Sequence, residues 1–199
     1  MKINKATDAL LIVDVQNDFV TGSLAVPGAI EIIPVINNII IIPKFGTVIY
    51  SVDSHIKDHP SFQAQGGPWP AHCVIGSFGH RLHKDLMFSG NPIIVHKGLK
   101  EEAYSAFNGT VIAAGGPNIK AIEDFLYFHH SEGLFICGLA TDYCIKATVL
   151  DALKLFAGEI FVFTDAIRAV NINEGDGDQA LREMEEAGAI LTISNNLEN

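Results

Sequence analysis

Cysteine is scarce in this chain: Cys73, Cys137 and Cys144 are the three among 199 residues. They are too few and too unevenly placed for a disulfide framework, which excludes a stapled secreted mini-domain and suits a reducing cytoplasm. Long apolar runs are missing as well; Ile39 to Ile42 is far too short to cross a bilayer. The opening Met1-Lys2-Ile3-Asn4-Lys5 leads into a strand pattern, not into the apolar core and small-residue cleavage site of a signal peptide. Positive charge is in deficit, with 13 Lys and Arg against 23 Asp and Glu and a formal net charge of −10. That argues against nucleic acid and anionic membranes as partners. No internal repeat or linker is visible. What is present, 48% hydrophobic and 18% charged residues, reads as one globular domain over 1–199. The expectation is a cytoplasmic protein for a small-molecule partner, with a homo-oligomer left open.

Apolar patterning predicts alternating strands and helices. Ala9 to Val13 is a continuous apolar run, the mark of a strand buried on both faces. Further strands are predicted at 47–52, 92–96, 134–137, 159–163 and 189–193, with helices at 28–42, 118–130, 142–156 and 179–187. Six strands separated by helices imply an α/β fold, a three-layer αβα sandwich around a six-stranded parallel sheet of Rossmann-like type. The exception is about 54–91, an irregular insertion with histidines at 55, 59, 72, 80 and 83 and the single tryptophan, Trp69. Length without pattern inside a compact domain points to function. His80 and His83 read as surface residues.

Ligands of an open parallel sheet bind beyond the carboxyl ends of its strands. Asp14, Asp53, Lys97 and Cys144 each stand at such an end. Taken singly, Asp14 reads equally as a turn cap and Lys97 as a solvated lysine. Together they place an acid, a cation and a thiol on one rim. Thr141 reads as the N-cap of a helix starting at Asp142, which puts Cys144 in the first turn. There the free N–H groups and the helix dipole favour a thiolate and could hold an oxyanion. The alternative for Cys144 is a small buried apolar residue. In this reading Asp14 accepts the thiol proton and Lys97 lowers the thiol pKa. Asp53, His55 and His72 are metal-ligand types that suit zinc, iron or manganese with water completing the shell; the alternative is a turn cap and a satisfied core histidine. His59 is a fourth ligand or a loop histidine. Cys73 reads as packing.

These motifs together resemble the isochorismatase-like cysteine hydrolases, in their nicotinamidase (pyrazinamidase) branch. Asp14-Val15-Gln16-Asn17-Asp18-Phe19, Asp53-Ser54-His55, Trp69-Pro70-Ala71-His72-Cys73-Val74-Ile75-Gly76, His96-Lys97-Gly98 and Gly138-Leu139-Ala140-Thr141-Asp142-Tyr143-Cys144 follow in family order. The resemblance runs from about Leu10 to Asp165. It implies a triad of Asp14, Lys97 and Cys144, and one divalent metal, zinc first, on Asp53, His55 and His72. It implies a cis peptide between Leu139 and Ala140, with the Ala140 and Cys144 amides as oxyanion hole. Phe19, Trp69 and Tyr104 fall where the family lines its ring pocket, with Leu139 and Ala140 beside it. His59 matches a fourth ligand by type. The implied reaction is hydrolysis of nicotinamide, and of pyrazinamide, to the acid and ammonia through a cysteine thioester. Relatives acting on carbamoyl or other small amides keep the triad without the metal ligands. A metal-binding or redox-responsive protein without turnover is the alternative of another class.

Overall fold

A strand with no polar face must be covered on both sides, and β1 (Asp8–Val13) is such a strand. Leu10 and Ile12 enter one core, Ala9, Leu11 and Val13 the other. The computed structural model describes residues 1–41, 45–88, 92–100, 103–113 and 121–198. Around β1 stand β2 (Thr47–Asp53), β3 (Ile93–Lys97), β4 (Thr110–Ala113), β5 (Gly133–Leu139), β6 (Glu159–Arg168) and β7 (Ile190–Thr192). Their order is β4-β3-β2-β1-β5-β6-β7, and every pair is parallel except β3 with β4. The six strands expected from the sequence are all there. The addition is β4, a short antiparallel edge whose four residues carry too little pattern to announce a strand.

Helices cover both faces. α1 (Asn17–Val20) is a single turn after β1, and α2 (Ala29–Ile41) buries Ile32, Ile33, Ile36, Ile39 and Ile40. At that spacing the isoleucines form one stripe, which packs over Leu10, Ile12, Tyr50, Phe135 and Phe163. On the opposite face, α3 (Ile122–Phe128), α4 (Lys146–Leu155) and α5 (Asp176–Glu186) contribute Phe125, Leu126, Val149, Ala152 and Met184 to the second core. The expected helical positions Ile42 and 118–120 lie outside the described residues. The chain adds β2 and β3 on one side of β1, then crosses to β5 on the other. That reversal opens a crevice at the carboxyl ends of β1 and β5.

Candidate active site

Register sets the site. Val13 is level with both Ser51 and Gly138, and Asp53 is level with Lys97. Asp14, Asp53 and Lys97 therefore meet at one height. A Cβ at Gly138 (φ +118) would lie 2.1 Å from the Val13 carbonyl oxygen, so only glycine lets β5 run this close to β1. Asp14 itself has φ +51, a left-handed conformation that turns its side chain off the strand path into the crevice. Beyond β5 the Leu139–Ala140 peptide is cis, as the resemblance implied. The helix entry differs from expectation. Thr141 lies inside a π-helical turn, Thr141–Ile145, flanked by Ala140, and Ile145 N–H donates to the Ala140 carbonyl at 3.0 Å. Cys144 stays in the first turn, in the kind of widened turn that recurs at functional sites.

Asp14, Lys97 and Cys144 are all buried and adjacent. Lys97 Nζ lies 2.8 Å from Asp14 Oδ2 and 3.5 Å from Cys144 Sγ, and also donates to Asp53 Oδ1 and, at 3.3 Å, to the Ala103 carbonyl. Ser51 Oγ donates to Asp14 Oδ1 at 2.7 Å. Burial pushes the Asp14 carboxyl up, against the pull of Lys97. Lys97 goes well above its usual value: burial opposes its charge, but Asp14 and Asp53 outweigh that. Cys144 is also raised well above an ordinary thiol, by burial first and then by both carboxylates, although Lys97 pulls the other way. The lysine that draws the thiol toward thiolate also faces two carboxylates, which push the other way.

The ligand atoms of Asp53, His55 and His72 lie within 4.8 Å of one another. Each histidine offers a lone pair to that centre for a definite reason. His55 Nδ1–H donates to the Gly98 carbonyl at 2.5 Å and His72 Nδ1–H to the Pro70 carbonyl at 2.8 Å, so in the neutral form of each ring Nε2 carries the lone pair. Burial also holds the His72 imidazole below its usual range and therefore neutral. For Asp53, burial works against ionisation, but Lys97 and His55 win and its carboxyl falls well below the usual range. Two imidazoles and one ionised carboxylate fit a divalent cation. Gly98 (φ +69) is pressed against this group; a Cβ there would meet His55 Cε1 at 2.7 Å. His59 is buried beside His55, with ring centroids 4.2 Å apart. Its Nδ1 faces Ser61, with Oγ at 2.7 Å and the backbone N–H at 3.3 Å, and His59 lines the pocket beside the group of three.

One pocket joins the thiol to this group. Phe19, Trp69, Tyr104 and Ala140 line it with Cys144, His55 and His72. Leu139 does not; its side chain is fully buried in the core. Tyr143, which sequence reasoning passed over, completes an aromatic wall, its ring 5.1 Å from Trp69 and 5.6 Å from Tyr104. Cys73 packs in the core, its thiol pushed far up by burial. Two histidines are not surface residues as expected: His83 is buried and His80 partly so. Ser54 Oγ sits between His80 Nε2 at 2.9 Å and His96 Nδ1 at 2.8 Å. Both misreadings arise because the irregular segment folds back onto the loop after β1, which no periodicity announces.

Fold and site together define an α/β protein with a buried thiol, lysine and carboxylate at the switch point of its sheet, beside a group of two histidines and an aspartate that could hold a metal ion. An isochorismatase-domain model matches residues 8–195, and the chain belongs to that family. A nicotinamidase from Escherichia coli (strain K12) is 39% identical over 203 residues, covering 92% of this chain and 93% of the relative. Among solved structures, PnC1 from L. infantum in complex with nicotinate superposes with a TM-score of 0.88 at 31% identity, covering 100% of this chain and 98% of that one. The pyrazinamidase of Pyrococcus horikoshii in complex with zinc gives 0.78 at 33% identity, covering 94% and 98%.

Proposed function

We propose that the protein hydrolyses nicotinamide to nicotinate and ammonia, and pyrazinamide likewise, through a thioester on Cys144. One juxtaposition carries this reading: Lys97 Nζ stands 2.8 Å from Asp14 and 3.5 Å from Cys144 Sγ, beside a pocket where His55 and His72 present free nitrogens. The nicotinamidase, the nicotinate complex and the zinc-bound pyrazinamidase named above support it. One divalent ion on Asp53, His55 and His72, zinc first with iron or manganese as alternatives, would supply a Lewis-acidic anchor for a ring nitrogen. A substrate without such a nitrogen would leave that group without a role. The protein works in the cytoplasm in this reading, which its three free, buried cysteines suit. No helix among the described residues is long and apolar enough to cross a membrane.

The chemistry follows from a shared proton. The Asp14 carboxylate and the Cys144 thiol lie within 4.8 Å of each other, so one proton can pass between them without changing the charge of the cluster. Asp14 takes the thiol proton as the sulfur–carbon bond forms. The resulting oxyanion is received by the Ala140 and Cys144 amides. Asp14 returns the proton to nitrogen as the C–N bond breaks and ammonia leaves. A water deprotonated by Asp14 then attacks the thioester, sulfur departs as the thiol, and nicotinate is released. Lys97 stays charged and holds the carboxylate in place. Purified protein should release ammonia and nicotinate from nicotinamide, while Cys144→Ala should bind nicotinamide and release none. Turnover of that variant near the wild-type rate would sink the mechanism.

A further inference from the structure

Gln16 is fully buried and takes no part in the chemistry above. Its carboxamide is nonetheless fully engaged where the sheet runs out. The β1–β2 ladder ends at Val13 and Ser51, followed by one bond from Asp14 N–H to the Ser51 carbonyl at 3.1 Å. At Asp14 the left-handed turn carries the chain away from β2. Asp53, two residues past Ser51, keeps β3 as a neighbour on one side through Lys97. On the other side Gln16 replaces the departed strand. Asp53 N–H donates to Gln16 Oε1 at 2.8 Å, and Gln16 Nε2 donates to the Asp53 carbonyl at 2.9 Å. The same Nε2 donates to the His80 carbonyl at 2.8 Å, which ties in the irregular segment.

We infer that Gln16 is a positioning residue for the cation site: its amide extends the β1 edge by one step and fixes the backbone of Asp53, and so aims the Asp53 carboxylate between Lys97 and the two histidines. The inference rests on the functional reading above. A primary amide suits the task because it presents a donor and an acceptor side by side, like a peptide group. Glutamate could accept from Asp53 N–H but would set a second acceptor against the Asp53 and His80 carbonyls. Methionine has the length and none of the bonds. Groups that hold a metal ligand from behind typically matter about ten- to a hundredfold in metal affinity.

The test uses the full chain stripped of metal, with zinc as probe in competition against a chromophoric chelator. Gln16→Glu and Gln16→Met should each bind zinc about ten- to a hundredfold more weakly than wild type. Iodoacetamide labelling of Cys144 in the same samples should change much less. General loosening would instead move labelling along with the thermal midpoint. Folded variants with wild-type zinc affinity overturn the inference, as does labelling that changes as much as zinc binding. If both variants fail to fold, the wild type decides: the Gln16 side-chain amide protons should exchange slowly, and more slowly once zinc is added. Fast exchange, or exchange indifferent to zinc, overturns it. Wild type that binds zinc yet leaves nicotinamide intact removes the functional reading and not the Gln16 assignment. Wild type that takes up no zinc removes both.

Discussion

The sheet and the irregular segment 54–88 are ordered by different bonds. In the sheet, Leu10, Leu11, Ile12, Val13, Ile49 and Ile136 are fully buried, and apolar residues of similar volume would serve nearly as well. In the segment, regular structure among the described residues amounts to a three-residue 3-10 turn, Gln63–Gln65, and two isolated bridges, His55 with Val74 and Phe62 with Trp69. A third bridge, Leu82 with Gln16, ties it to the loop after β1. Its backbone is held by turn bonds of its own, such as Gly67 N–H to the Phe62 carbonyl at 2.9 Å and Trp69 N–H to the Ser61 carbonyl at 3.0 Å, and also by side chains from that loop. Asn17 Nδ2 donates to the Phe78 carbonyl at 2.8 Å, Asp18 Oδ2 accepts from Cys73 N–H at 2.8 Å, and Ser23 Oγ donates to the Ala71 carbonyl at 2.7 Å. Each such bond needs a donor or acceptor at a set reach, so few residue types can replace these. The sheet brings Asp14, Asp53 and Lys97 to one height; the segment supplies His55, His72 and, with Trp69, one part of the pocket wall.

That division is broken most directly at His72, which belongs wholly to the segment. Its loss, or chelation of the metal, should lower nicotinamide turnover about a hundredfold or more, because an orienting contact is removed. The urea midpoint and the iodoacetamide labelling of Cys144 should change much less, since neither the sheet nor the nucleophile depends on that contact. Benzamide has no ring nitrogen and should be poor even with metal present. Equal turnover of benzamide and nicotinamide, or full activity in a verified metal-free sample, would refute the positioning role.

A sheet-side change should do the reverse. Ile36 is fully buried on the α2 stripe, so Ile36→Ala leaves a cavity and should cost about 2–5 kcal/mol of stability in urea unfolding. Zinc affinity of the folded protein should stay at the wild-type level. A drop in that affinity comparable with the one in His72→Ala would mean the two regions are not energetically separate.

The same contrast explains what could be read from the residues alone. The strands and α2 were legible because burial on both faces imposes continuous apolar runs and a stripe of isoleucines imposes a period. Asp14, Asp53, Lys97 and Cys144 were legible as site candidates because strand ends face one crevice. β4 was missed because four residues carry little pattern. The π-helical turn was missed because shifting one hydrogen bond by a residue leaves no trace in composition. Gln16 and Ser51 act through what they bond to, Asp53 backbone and the Asp14 carboxylate, and those partners exist only once the chain is folded. His80 and His83 were misplaced because burial in an irregular segment follows its path and not its period. The second carboxylate facing Lys97, Asp53, is disclosed by neither residue's position in its own motif.

The smallest effect is expected where the two regions touch at the pocket mouth. Trp69, from the segment, packs edge-on against Tyr143 of the π-helical turn and donates from Nε1 to Tyr104 Oη at 3.2 Å. Trp69→Phe keeps a ring against Tyr143 and loses the donor. The bond lies near solvent, so water can replace it, and its net worth falls at the low end of about 0.5–1.5 kcal/mol. The loss should therefore raise KM for nicotinamide by about two- to threefold and leave kcat unchanged, the mark of a contact made equally in ground and transition states. A fall in kcat instead would place Trp69 against the reacting amide, and the segment would then share in the chemistry as well as in binding.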